Sequence, residues 1–88
     1  MPNSISEFAA NGLRLYPNPA SAKVWVSAPV QLGQVEVQDL MGRICIVENH
    51  CARSEVLLSL DQLPLGVYVV RARSADGRYF EPQKLVRQ

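Results

Sequence analysis

The chain contains a single histidine, His50, set between two cysteines, Cys45 and Cys51. Imidazole titrates near neutrality, and thiolates are nucleophiles and metal ligands, so chemistry would be sought here first. A metal site would need both sulfurs and the ring to converge with a fourth donor. A strand cysteine followed by a loop histidine and cysteine at this spacing matches no zinc pattern. Nucleophilic catalysis would need a base held against a serine or cysteine, and only His50 could serve at neutral pH. A solvated loop histidine is the simpler reading. The cysteines are accounted for either as two independent small apolar residues or as a disulfide across a tight turn.

The remaining polar residues are explained without a site. Asp39, Asp61, Asp76 and the glutamates fall at turn signals or at polar positions of alternating runs. Arg71 and Arg73 share one face of a strand, with Arg78 beyond the next turn. A formal net charge of +1 makes them a solvated sheet face rather than a nucleic-acid patch. No glycine-rich loop could cradle a phosphate. The sequence therefore reads as a non-enzyme, with no catalytic residue, no metal site and no cofactor.

At 88 residues, with 48% hydrophobic and 19% charged residues, the chain has the composition of one small folded domain. The longest nearly apolar run, Leu63 to Val70, is broken by Pro64 and Gly66 and is far shorter than the roughly 18–20 residues that span a bilayer, so no direct membrane insertion is expected. Residues 1–12 have no apolar block of the kind a secretory signal needs. An exported protein would carry that signal elsewhere, and the chain then reads as part of a larger precursor. Rich in Ser, Asn and Ala and without period, residues 1–12 read as a linker ending at Asn11-Gly12.

From residue 13 the pattern changes to short alternating runs. Leu13 to Tyr16 forms the first, stopped by Pro17. Because proline fixes its own φ, lacks an N–H and restrains the residue before it, Tyr16-Pro17-Asn18-Pro19 must lie at a sheet edge or where the chain leaves the sheet. Lys23 to Ser27 is the second run and Gln34 to Gln38, a faultless alternation, is the third; Leu32-Gly33 marks the turn between them. Asp39 to Arg43 reads as a hairpin loop with Gly42 in the left-handed position and a bulge nearby. Ile44 to Val47, Glu55 to Leu60, Val67 to Arg73 and Tyr79 to Val86 complete the set. Asp76-Gly77 is the strongest turn signal, and Pro82 marks an edge or bulge in the last run.

Seven short strands with turn signals every 8 to 12 residues, and no long crossovers, predict an all-β fold: a seven-stranded antiparallel immunoglobulin-like β-sandwich. The expected core is Leu15, Val24, Val26, Val35, Val37, Ile44, Ile46, Leu58, Leu60, Tyr68, Val70 and Leu85, with Leu63 plugging one end. If those face inward, Trp25, Cys45, Val47, Val67 and Val69 face outward. That is enough apolar surface to suggest a docking or self-association face.

Four stretches together resemble a known family: Leu15-Tyr16-Pro17-Asn18-Pro19-Ala20, Asp39-Leu40-Met41-Gly42-Arg43, Leu63-Pro64-Leu65-Gly66-Val67-Tyr68-Val69-Val70, and Gln83-Lys84-Leu85-Val86-Arg87. In order and spacing they are similar to the C-terminal sorting domain of proteins secreted by the type IX secretion system, the Por secretion tail family, over residues 13–88.

That resemblance implies an immunoglobulin-like domain at the end of a larger exported protein of the Bacteroidota. Such a domain is recognised in the periplasm and directs passage through the outer membrane to the cell surface or beyond. Its partners would be the type IX translocon with its outer-membrane shuttle and a sortase-like protease, which in many members cuts in the linker; residues 1–12 would be the processing region here. The alternative is an immunoglobulin-like binding module retained on a surface or secretion-apparatus protein. Carried over to this chain, the recognition candidates are Tyr16, Pro17, Asn18, Pro19, Gly42, Arg43, Gly66, Tyr68, Lys84, Leu85, Val86 and Arg87. Turn geometry explains the glycines and core packing explains Tyr68, while Lys84 to Arg87 could present an edge strand and charge to a partner.

Overall fold

The computed structural model describes residues 12–88. The expected linker over residues 1–12 therefore lies outside the described residues, apart from Gly12. Five strands, all paired antiparallel, make up the described chain: β1 (Arg14–Tyr16), β2 (Lys23–Asp39), β3 (Ile44–Ser59), β4 (Gly66–Ser74) and β5 (Gln83–Arg87). The expected count of seven is thus corrected to five. The second and third runs are one strand, as are the fourth and fifth, because hydrogen-bonded pairing carries on through irregularities that the alternation pattern reads as breaks.

β2 organises the rest. One edge pairs with β3 along both halves, while the other pairs with β1 over Trp25 to Ser27 and with β4 over Leu32 to Asp39. Its 17 residues would reach about 56 Å if straight, yet the molecule is 35 Å in its longest dimension. The β2–β3 hairpin must therefore fold back on itself, and the register shows where. From Ser27 to Leu32 β2 advances five residues while β3 moves only two, from Glu55 to Arg53. From Leu32 to Gln34 the imbalance reverses, and His50 and Ala52 take left-handed φ of 54° and 53° to absorb the extra length on β3. Gly33 is not a turn but a point of close approach: a Cβ there would stand 3.0 Å from the Ser74 carbonyl oxygen.

Side chains from both halves of β2 meet in one core. Val24 and Val26 from the first half are buried together with Val35, Val37, Val70 and Leu85, and Leu58, Leu60 and Tyr68 join them. Leu63 closes one end as expected. Leu15 and Ile46 are only partly buried against this cluster, whereas Leu13, Ala20, Leu32 and Val56 belong to it without having been expected. Ile44 is the clear exception at 54% exposure. β2 steps from Val37 to Gln38 while β3 steps from Ile46 to Ile44, so one extra residue, Cys45, sits in β3. That bulge breaks the period of two and sets Ile44 opposite Gln38 instead of continuing the inward row.

The turns follow local chemistry. In the Asp39–Arg43 hairpin the Asp39 N–H donates to the Arg43 carbonyl at 2.9 Å, and Gly42 has the expected left-handed φ of 88°. At the second hairpin Gly77 has φ 97° and the buried Ser74 hydroxyl bonds the Asp76 carboxylate and accepts from the Arg78 N–H. The last strand is shorter than expected, since Tyr79 makes only an isolated bridge to Arg73 and regular pairing starts at Gln83, just past Pro82. Proline has no N–H to give the ladder.

Candidate functional site

β1 ends at Tyr16 and the next three residues, Pro17, Asn18 and Pro19, form an exposed bend in which both X-Pro peptide bonds are cis. Asn18 turns its carboxamide onto β5. Its Nδ2 donates to the Lys84 carbonyl at 2.8 Å, and its Oδ1 accepts from the Val86 N–H at 3.0 Å. Two residues on, fully buried Ala20 continues the same edge with its backbone: its N–H donates to the Val86 carbonyl at 2.8 Å and its carbonyl accepts from the Gln88 N–H at 2.7 Å. One side chain and one backbone unit thus complete four adjacent groups on the outer edge of β5, whose other edge pairs with β4. A residue with two prolines as neighbours lacks neighbouring N–H donors, so the asparagine side chain stands in for a strand.

This closes the edge that Lys84 to Arg87 was expected to offer. Of those residues, Lys84 is exposed, Leu85 is fully buried and Val86 and Arg87 are half-buried. Arg87 is further committed by its Nε, which donates to the Leu60 carbonyl at 3.0 Å. Gly66 pairs with Arg87 and Tyr68 with Leu85, while buried Tyr68 donates its hydroxyl to the Pro64 carbonyl at 2.6 Å. Tyr68 also pairs with Asp39 on its other side, which brings Gly42 and Arg43 to the same end of the molecule. The pairing thus sets the proline bend against β5, with Gly66 and Tyr68 on the neighbouring strand and the Asp39–Arg43 hairpin next in line.

Asp39, a turn position within the second motif stretch, holds that hairpin. Its carboxylate accepts from the Met41 N–H at 2.9 Å, the Arg43 N–H at 3.0 Å and the Arg43 Nε at 2.9 Å. The bond from the Arg43 backbone, with those from the Arg43 side chain and Met41, holds its pKa below the usual carboxylate value against the opposing effect of desolvation. Tyr16 donates its hydroxyl to Glu55 at 3.0 Å, and that bond, reinforced by desolvation and the carboxylate's charge, raises the phenol pKa.

The expected apolar face is divided by the registers. Trp25 lies in a row with Tyr16 and Leu57 on the β1–β2–β3 ladder, whereas Val67 and Val69 belong to β4, and Val47 pairs with Glu36 in the second half of β2. Cys45 and Cys51 are both free thiols. His50 is exposed at the fold-back and lines an open cleft with Trp25, Arg53 and Leu57. Among the described residues, no three His, Cys, Asp or Glu side chains converge as a metal would require, and no helix is long and apolar enough to cross a membrane. The arrangement at the motif end is one of turns, caps and exposed apolar side chains.

No curated protein matches the chain. Among solved structures, it is similar to PorZ of Porphyromonas gingivalis, described as an essential bacterial surface component of the type-IX secretion system. The TM-score is 0.72 at 18% identity, over 88% of this chain and 11% of the PorZ chain. That likeness concerns the fold. The family described as "Secretion system C-terminal sorting domain" matches residues 14–88, which takes in the proline bend, both motif turns and β5. The chain belongs to this family of type IX secretion sorting tails, a family that is not catalytic, and serves as a sorting signal that takes protein to the cell surface or outside.

Proposed function

We propose that this domain is a folded address label: a two-layer immunoglobulin-like sandwich, joined through residues 1–12 to a larger cargo, that is recognised in the periplasm by the type IX apparatus. The translocon, its outer-membrane shuttle and its sortase-like protease are the partners, and the protease cuts within residues 1–12. The sandwich reading rests on the fold-back of β2 and β3 and on the single core shared by both halves. Recognition of the folded form rests on one observation. Motif residues 66–68 positions apart in sequence are joined by the Asn18 bridge to Lys84 and Val86, so the motif end exists only once the chain has folded.

Secretion should then track the folded fraction. In a type IX-competent host, a cargo fused to residues 1–88 is secreted, and the same fusion carrying Leu85→Ala, which empties a fully buried position, is held in the periplasm. Secretion of the Leu85→Ala fusion at the wild-type level, with its domain shown to be unfolded, would rule out recognition of the fold. Intact mass spectrometry of the secreted cargo reads the cut: a mass ending within residues 1–12 supports processing, and an uncut product supports a retained module. The likeness to a portion of a surface component of the secretion system keeps that second reading in view.

A further inference from the structure

A sheet edge presents backbone N–H and C=O groups without partners, and a further chain can pair with them. This fold closes or blunts most of its edges. Asn18 and Ala20 complete the outer edge of β5, β1 has three residues and is followed by Pro17, and the first half of β3 is framed by the Cys45 bulge and by left-handed His50 and Ala52. The second half of β3 has no such protection. It pairs only with β2, Glu55 to Ser59 run opposite Ser27 to Lys23 without a register shift, and the stretch contains neither proline nor lysine.

The ladder fixes which groups stand open. The Leu60 N–H donates to the Ala22 carbonyl at 2.7 Å, and bonding direction alternates along an antiparallel strand. Leu58 and Val56 therefore also turn their backbone groups to β2, while Glu55, Leu57 and Ser59 turn theirs away. Among the described residues nothing bonds those outward groups. Leu57, 43% exposed, carries the Tyr16–Trp25 row to this edge. Arg53 and Asp61 flank it at either end. Both are exposed, neither is in an ion pair among the described residues, and Asp61 accepts only from the Ser59 hydroxyl at 3.3 Å.

We propose that this edge pairs antiparallel with the same edge of a second copy of the chain, about a two-fold axis at Leu57, so that β1, β2 and β3 of both copies form one sheet. In that register the stretch is complementary to its own reverse. Leu57 meets Leu57 of the second copy, Glu55 meets Ser59 and Arg53 meets Asp61, and the symmetry repeats the last two pairs on the other side of the axis. Alternate residues share a face, so these pairs line up along the outer face with the Tyr16–Trp25 row. The outward backbone groups also fall opposite one another, and the Leu57–Leu57 and Glu55–Ser59 pairs each exchange both of their bonds. The neighbouring in-phase registers lose this match. Sliding one way sets Glu55 against Leu57, and sliding the other way sets Glu55 against Asp61, where like charges directly opposite are destabilising.

Sedimentation equilibrium of the 88-residue chain, taken up to about 1 mM, should show a mass rising from the 9.8 kDa of one chain toward twice that, and the Leu57 amide should exchange more slowly at the concentrated end. Arg53→Asp and Asp61→Arg alter exposed side chains and should leave the melting temperature of the dilute chain within a few degrees of wild type, yet each alone should weaken association at least tenfold. Mixed together, the two variants should pair with each other at close to wild-type strength, because one chain then carries acids at both positions and the other carries bases. Leu57→Lys, which sets like charges at the axis, should abolish association, while Leu65→Lys, on the loop before β4, should not. A single-chain mass at every concentration would overturn the proposal. So would association that neither charge variant weakens, a mixture that associates no better than its components, or a chain that stays monomeric while its β3 edge binds an added extended peptide.

Discussion

Replacing Asn18 by alanine removes the two bonds that tie the proline bend to β5. Each intramolecular hydrogen bond contributes about 0.5–1.5 kcal/mol net, and because Asn18 is exposed, water can take over part of what is lost. The expected cost is therefore about 1–2 kcal/mol, which for a domain of this size lowers the melting temperature by about 5–10 °C. Amide exchange localises the effect: the Val86 N–H, which donates to Asn18 Oδ1, should exchange faster, while the Tyr68 and Val70 amides stay protected until global unfolding. Asn18→Asp sharpens the test. A carboxylate still accepts from Val86 but faces the Lys84 carbonyl oxygen with no proton to donate, so at neutral pH it should be at least as destabilising as alanine. Protonation restores the missing donor, which raises the folded-state pKa of the new acid; the penalty of Asn18→Asp relative to Asn18→Ala should accordingly shrink as pH falls through that value. A melting temperature within 1 °C of wild type for Asn18→Ala, with Val86 exchange unchanged, would refute the bridge.

Asp39 offers a second pH test: its folded pKa is depressed, so its contribution is present above the unfolded carboxyl value near 4 and is lost as pH falls through the lower folded value. The gap between wild type and Asp39→Asn in urea midpoint should close on acidification; a gap unchanged between pH 6 and 2 would argue against it. Leu85→Ala, at a site with no exposed surface, should cost about 2–5 kcal/mol in urea unfolding, while Leu57→Ala, 43% exposed, should cost under about 1 kcal/mol. The thiols should separate in alkylation followed by intact mass: Cys45 is exposed, whereas Cys51 is partly buried and its pKa is raised by desolvation, so the first adduct should map to Cys45.

Much of the fold can be read wherever one residue decides its own geometry. The alternation of Gln34 to Gln38 places Val35 and Val37 in the core, and Gly42 and Gly77 announce their turns through the positive φ they alone tolerate well. Composition cannot reveal a strand that bends yet keeps its pairing, so β2 and β3 each look like two strands. A single inserted residue, Cys45, is enough to turn Ile44 outward although its side-chain pattern is faultless. The motif end is half legible in the same way. Two prolines around Asn18 say that the chain leaves the sheet. Nothing local says that the asparagine side chain will reach Lys84 and Val86 and close the edge they were expected to present. Pairings of that separation exist only in the folded chain, as when Asp39 meets Tyr68.

The most direct measurement of the sorting role places a periplasmic reporter ahead of residues 1–88 and follows it in two strains, one with a working type IX apparatus and one lacking the translocon. The reporter should reach the surface or the medium in the first strain and stay in the periplasm in the second. Equal distribution in both would contradict a sorting signal.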